Sequence, residues 1–328
     1  MRFLYQPASA ALLGVAAAVT GAHAAPVEIK INSSLNSGSF AEVFLKEFEQ
    51  RVEADLAEEV DIQVFMGGVL GSEQDVLSGL KLGTHDATLS ASRVSAINPR
   101  AAIFDLPYLF ASRDDVQTFL DSDAGDMLRA GFEGTGAEIL AIWDNGFRII
   151  TNNVRPIATP ADLDGLKIRT PNSRYRVAVF DTLGANPTPL SFSEVYSAMD
   201  QGVVDGQENP ASIVYSAKFF EVQDYGSVSN HVYLPTFLLV SEMKMAQLSE
   251  EAQARLREIA TEMGPWSRDW GVSNDARTRE QLEEAGMAIN DIDFAAFQDA
   301  SAPLYDSELF VDRIGAEMIA ATLEAVTN

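Results

Sequence analysis

The sequence predicts an α/β protein of two domains. Three observations carry that expectation: a strand-helix-strand unit over residues 27–65, a second set of strands and helices from residue 137 onward, and one long helical stretch at 249–285.

VEIKIN (27–32) alternates apolar and polar residues, the period of a half-buried strand. FAEVFLKEFEQRV (40–52) then puts Phe40, Val43, Phe44 and Phe48 on one helical face, and VDIQVF (60–65) alternates again. Such units build parallel sheets. A second helix is predicted from about Ser72 to Leu82, capped by Ser72 and ended by Gly83, with a strand near DATLS (86–90). AEILAIW (137–143) and GFRIITN (146–152) read as two successive strands opening the second domain, and LKIRTP (166–171) follows a turn at Thr159-Pro160. The next helix runs from about Ser173 to Leu183 and stops at Gly184; another starts at Ser191, whose hydroxyl forms a capping box with Glu194. The stretch 249–285 ends at Gly286 and would be ~55 Å long at ~1.5 Å per residue. A kink is expected near its middle, where Pro265 of Gly264-Pro265 removes a backbone donor and crowds the preceding turn. There is no flexible linker, so ordinary strands should join the domains.

The first 24 residues read as a secretory signal peptide: Arg2, an apolar stretch from about Ala8 to Val19, then Ala22-His23-Ala24 as an A-x-A cleavage site. That stretch is shorter than the ~20 residues a membrane span needs, so the mature chain should begin near Ala25, outside the cytoplasm and without stable membrane insertion. With no cysteine, thiol catalysis and zinc-thiolate sites are excluded. Lys and Arg total 23 against 48 Asp and Glu, a formal net charge of -25, which argues against nucleic acid as a partner. Residues 146–180 are the exception: Arg148, Arg155, Lys167, Arg169, Arg174 and Arg176 face only Asp162 and Asp164, so 6 minus 2 leaves +4.

Signs of catalysis are few. His85 and His231 are too few for a multi-histidine metal centre, so neither metal nor cofactor is expected. Ser78-Gly79-Leu80-Lys81 matches S-x-x-K on a predicted amphipathic helix without the companion motifs, and Asp162-Leu163-Asp164-Gly165 lacks the remaining ligands of a calcium loop. The residues point instead to anion recognition. Arg148 and Arg169 lie on or at the end of predicted strands, and open α/β sheets bind ligands at strand ends. A guanidinium offers two parallel hydrogen bonds to a carboxylate, which Lys cannot do. Taken singly, each arginine could equally serve a surface salt bridge.

Longer blocks narrow the choice. GFRIITNNVRPIATPADLDGLKIRTPNS, LGANPTPLSFSEVYSAMDQGVVDGQENP and KFFEVQDYGSVSNHVYLP resemble the solute-binding subunit of tripartite ATP-independent periplasmic (TRAP) transporters. Upstream, GGVLGSEQDVLSGLKLGTHDA and FDLPYLF fit the same family in the same order, so the resemblance covers essentially the whole mature chain. It implies a two-lobed periplasmic-binding-protein-like fold (type II-like), with two α/β domains joined by hinge strands and a long helix crossing both. The expected division is 25–145 plus 235–265 for one domain and 146–234 plus 266–328 for the other.

The resemblance also implies roles. The carboxylate-clamping arginine falls on Arg169, the asparagine sharing that carboxylate on Asn209, a second ligand-facing arginine on Arg148, and the aromatic wall on Phe192. Glu73 matches a position that meets the polar end of the ligand, and His231 a histidine that buttresses the site. Trp143 precedes the GFR motif and could stack on ligand or lie in the core. The chain is therefore expected to be a periplasmic binding protein, not an enzyme, that delivers an organic acid to TRAP membrane subunits. Family ligands include C4-dicarboxylates, sialic and uronic acids and aromatic acids; Arg at 148, where many dicarboxylate binders carry Lys, points toward a sugar acid or other hydroxylated acid. The alternatives are a binding protein of an ATP-driven importer and a periplasmic enzyme acting on an organic acid.

Overall fold

The computed structural model describes residues 25–327, so the predicted signal peptide lies outside the described residues. In chain order the elements are β1 (Val27–Asn32), α1 (Phe40–Leu56), β2 (Val60–Phe65), α2 (Glu73–Leu82), β3 (Ala87–Ser90), α3 (Arg113–Leu120), α4 (Asp123–Ala130), β4 (Ala137–Asn152), β5 (Lys167–Thr170), α5 (Arg174–Thr182) and β6 (Asn186–Pro189). They continue with α6 (Val195–Asp200), β7 (Gly206–Pro210), α7 (Ala211–Ser216), β8 (Tyr225–Val228), β9 (Tyr233–Ser241), α8 (Glu242–Met245), α9 (Glu250–Glu284), β10 (Ala288–Asp291), α10 (Phe294–Ser301), α11 (Glu308–Ile314) and α12 (Ala316–Thr327). The fold is α/β as expected. The Ser72 and Ser191 capping boxes both form, and Gly83 ends α2 in the left-handed conformation that glycine adopts without penalty.

The strands form one continuous path, β2-β1-β3-β9-β4-β7-β5-β6, with β8 on β4 and β10 on β8. β6 contains Pro187 and Pro189 and sits at the edge, where a missing N–H harms no ladder. The two strands expected at 137–143 and 146–152 are one strand, β4. Its residues 137–147 pair with β9 and its residues 148–152 with β7, so a single strand serves both lobes.

A bulge explains why the sequence looked interrupted. Trp143 pairs with Thr236 and Gly146 with Leu234, which leaves Asp144 and Asn145 opposite Pro235 alone. Pro235 has no N–H to offer the ladder, so an extra residue is accommodated there. The displaced Asp144 N–H donates instead to Ser267 Oγ on α9, at 3.0 Å. Gly146 follows at φ +104°, and a Cβ there would come within 3.2 Å of the Arg113 guanidinium. The alternating pattern therefore breaks while the backbone continues.

Hydrophobic residues separate by sheet face, not by lobe. Along β9, Phe237 and Leu239 enter one core and Leu238 and Val240 the other; Ile149 and Ile150 divide in the same way on β4. Each core draws from both lobes. The helix α9, 35 residues or ~52 Å long, runs through Pro265 as one element and packs on β4, α1 and α7, so it spans the lobes. The tail assigned to the second domain divides: β10 joins β8 and α10 packs on α5, but α11 and α12 lie against residues 99–105, α3 and α4. Apolar faces in the tail find their partners by shape, which local pattern does not reveal.

Candidate functional site

The C-terminal ends of β1, β3, β5 and β7 converge on a cavity between the lobes. The first lobe contributes Ser33, Ser34, Glu73 and Ser92; the second contributes Arg148, Arg169, Phe192 and Asn209; β4 and β9 form the floor with Asn145, Leu234 and Thr236. Open α/β sheets bind ligands at such strand ends, where loops rather than packed side chains line the space.

The second-lobe wall is cationic and buried. Arg148, Arg169 and Arg176 are 1%, 3% and 0% exposed, so all three guanidiniums must be compensated within the protein or by a ligand. Glu208 compensates two of them: Arg148 donates to both of its carboxylate oxygens and Arg176 Nη1 to Oε2 at 2.6 Å. Arg176 also donates to Asp105 Oδ1 at 2.5 and 3.1 Å. His231 completes the group, with Nε2 3.1 Å from Glu208 and Nδ1 2.7 Å from Ser229 Oγ. Burial pushes the imidazole down to about 4, so it is neutral at physiological pH, donating through Nε2 and accepting through Nδ1. Burial alone would raise the Glu208 carboxyl; Arg148 and Arg176 override it and hold Glu208 well below the usual carboxylate range.

Arg169 is the exception. Its Nε and Nη2 donate to the Leu190 carbonyl at 3.1 and 2.7 Å, and it makes no ion pair with any described carboxylate within 4 Å. Burial lowers it to about 10, so it keeps its proton at neutral pH. Nη1 has no protein acceptor among the described residues. In this cluster Arg148 and Arg176 are paired to Glu208, and Arg176 also to Asp105, whose carboxyl burial pushes up, while Arg169 has no carboxylate partner among the described residues.

The other expected residues fall as follows. Asn209 lines the cavity and donates to Gln207 Oε1 at 2.5 Å. The Phe192 ring rests 5.9 Å from that of Phe219. Glu73, at the start of α2, accepts through Oε1 from Ser90 Oγ and from the Ala91 N–H, while Oε2 has no protein donor among the described residues. His231 touches Glu208, not the cavity lining. Trp143 is corrected. It is fully buried edge-on against Phe44 and Phe48, and its Nε1 donates to the Ala260 carbonyl at 2.9 Å, so neither ring face is open to a ligand.

Sequence reasoning missed Glu208, Arg176 and Asp105, although Glu208 stands inside QENP and Arg176 inside the basic island. It also missed Asn145 and Thr236; the signal for them was a proline within the apolar strand pattern YLPTFLLVS. Of the remaining cations in the island, Arg155 holds the Asp162 and Asp164 carbonyls and Arg174 lies over the Tyr175 ring. Asp162 caps the turn at Thr159, as a polar turn requires.

Comparison with known proteins gives the same result. Residues 31–311 match the model of bacterial extracellular solute-binding protein, family 7. The chain is 38% identical over 257 residues, 78% of each chain, to the 2,3-diketo-L-gulonate-binding periplasmic protein of Escherichia coli. Among solved structures, a TRAP periplasmic solute-binding protein from Polaromonas sp. bound to D-erythronate is 32% identical with a TM-score of 0.85, over 90% of this chain and 98% of that one. A sugar acid binding protein from Advenella mimigardefordensis in complex with galactonate is 28% identical with a TM-score of 0.88, over 92% and 98%. The match to the family model over most of the chain shows that this chain belongs to bacterial extracellular solute-binding protein family 7, the solute-binding proteins of TRAP transporters.

Proposed function

We propose that the chain captures a small organic acid anion in the periplasm, closes its lobes over it, and presents the closed form to the membrane subunits of a TRAP transporter. The observation that carries this is Arg169: 97% buried, charged, and among the described residues bound only to a backbone carbonyl. A ligand carboxylate accepts from its free Nη1, with Asn209 and Arg148 at the same end, Phe192 as an apolar wall and Glu73 toward the other end. Arg148 and Arg176 are held by Glu208 before ligand arrives, so binding requires little rearrangement of the wall. The lobes move as 25–145 with 235–265 against 146–234, about β4, β9 and α9, and the tail helices α11 and α12 travel with the first group. The process is a physical one, closure and release, with no bond made or broken in the acid.

A thermal-shift screen across organic acids tests this directly. An acid at 100 times its dissociation constant raises stability by ~2.7 kcal/mol. Failure of every carboxylate to shift the melting temperature sinks the proposal, and conversion of an acid to product during incubation favours an enzyme instead.

A further inference from the structure

β4, β9 and α9 cross between the lobes, and all three meet at one ion cluster whose residues stand outside the cavity lining. The bulge in β4 opposite Pro235 supplies its centre, Asp144. That carboxylate is 2% exposed and takes both prongs of the Arg113 fork, Nε on Oδ1 and Nη2 on Oδ2, each at 3.0 Å. The Tyr233 hydroxyl of β9 donates to the same Oδ1 at 2.6 Å. On α9 the sequence provides a matching stripe just past Pro265: Ser267, Gly271 and Asp275 stand four residues apart and share one helix face. Ser267 Oγ accepts the Asp144 N–H at 3.0 Å. Gly271 leaves the room that the carboxylate occupies, since a Cβ there would lie 2.0 Å from Asp144 Oδ2. Asp275 Oδ2 reaches the remaining prong, Arg113 Nη1, at 2.8 Å.

The two carboxylates that Arg113 holds are not equivalent. Asp144 is buried, so parting it from Arg113 would leave a bare charge in the interior. The Asp275 side chain is 50% exposed, so water can replace Arg113 when that pair opens. The two partners of the weaker pair also belong to different lobes. α3, which carries Arg113, packs on α4 and α12 of the first, whereas α9 beyond Pro265 runs into β10, which pairs with β8 of the second. The structure has the lobes together, with Arg93 of the first donating to the Asn172 carbonyl of the second, and the Arg113–Asp275 pair is formed in that arrangement. α9 can bend just before the stripe, because Pro265 has no N–H for the Thr261 carbonyl. Resting on the proposed closure of the lobes, we propose that Arg113 is a positioning residue for it: through Asp144 it pins the three crossing elements at one pivot, and its pair with Asp275, made only when the lobes are together, draws the chain toward the closed form. Affinity for every acid then carries the same factor, because each needs the closed form whatever its shape.

Arg113→Ala would strand the buried Asp144, so the test is made at Asp275. The chain has no cysteine, and an inter-lobe distance can be read between spin labels on Leu82→Cys and Val203→Cys, exposed residues of the first and second lobe. Double electron–electron resonance on this labelled chain without ligand is expected to show a closed fraction, and adding Asp275→Asn should cut it ~3- to 5-fold. Asp275→Glu keeps the charge and should hold that fraction within ~1.5-fold of the parent. Calorimetry on the unlabelled chain with D-erythronate, D-galactonate and succinate should give, for each acid that binds, the same ~3- to 5-fold rise in dissociation constant in Asp275→Asn. A misfolded fraction lowers the stoichiometry and leaves the dissociation constant alone, so it does not mimic this result. A closed fraction absent in the parent, or equal in Asp275→Asn, overturns the inference. So does a loss that Asp275→Glu reproduces, or a rise that differs between acids. If none of the three acids binds, the reading of the cleft is what fails, and the distance measurement decides on Arg113 alone.

Discussion

The second-lobe wall of the cleft and its floor both bury polar groups, and they do so in opposite ways. On the wall, Arg148 and Arg176 are paired to Glu208 and Asp105 within the chain itself. On the floor, Asn145 Oδ1 and Thr236 Oγ1 are neutral and have no hydrogen-bond partner among the described residues. The difference follows from cost. An unpaired buried charge is far more expensive than an unpaired amide or hydroxyl, which costs ~1 to 3 kcal/mol. A binding protein can therefore hold neutral groups in readiness but must neutralise nearly all its charges in advance. Among the described residues of this wall, Arg169 is the arginine without a carboxylate partner, and the proposed function has the ligand supply one.

The sharpest break of that comparison is Arg169→Ala. Removing one partner of a buried ion pair costs ~3 to 5 kcal/mol, so affinity for the acid should fall more than ~100-fold, with the circular dichroism spectrum and melting temperature of the free chain preserved. Unchanged affinity by calorimetry would place the carboxylate elsewhere. Glu208→Gln probes the paired half of the wall. It leaves two buried guanidiniums without their shared carboxylate, and urea denaturation should show a loss of ~3 to 5 kcal/mol in the free chain. A stability loss under ~1 kcal/mol would mean that the wall is not the pre-paired structure described here.

The same network sets a pH dependence. The His231 imidazole titrates near 4 when folded and near 6.5 when unfolded. Between those values the unfolded chain binds a proton that the folded chain refuses, so stability falls as pH drops from 6.5 toward 4, by roughly 3 kcal/mol in total. Glu208, depressed when folded, extends the loss below about pH 4.5. Denaturation curves from pH 7 to 4.5 should show a shallower slope for His231→Gln; parallel slopes would refute the assignment.

The smallest expected effect concerns the rim. Arg93, from the first lobe, donates to the Asn172 carbonyl, three residues beyond Arg169 in the second lobe, and to Gln74 Oε1 at 3.0 Å. Arg93→Gln should raise the ligand dissociation rate ~3- to 10-fold with little change in association rate, measured by stopped-flow fluorescence. Equal changes in both rates would show that the bridge does not act as a closure latch.

Most of the framework was legible because its causes are local. The alternation in VEIKIN and VDIQVF, the Phe40, Phe44 and Phe48 face of α1 and the S-x-x-E box at Ser191 depend on neighbours a few residues away and appear in the structure, whereas Val43, expected on that face, is exposed. The bulge was misread for the opposite reason. Residues 137–152 look like two strands until Pro235, about ninety residues later, is laid beside Asp144 and Asn145. The tail divided between lobes because helices α11 and α12 seek a complementary surface, and amphipathic periodicity says only that some surface is needed.

The arginines mark the boundary between the two kinds of knowledge. By itself the sequence determined that an acidic chain carries a basic island, and that guanidinium chemistry there suits a carboxylate. Composition and charge leave Arg148, Arg169 and Arg176 interchangeable, and within the sequence it was the family resemblance that singled out Arg169 and Arg148. Only the tertiary structure decided which one stays without a carboxylate, because the choice depends on where Glu208, 60 residues from Arg148, and Asp105, 71 residues from Arg176, come to rest. It likewise sent Trp143 to the core and Asn145 to the cleft, two residues apart on one strand. Charge pairing and side-chain direction in a folded interior are set by distance in space, which adjacency along the chain does not encode.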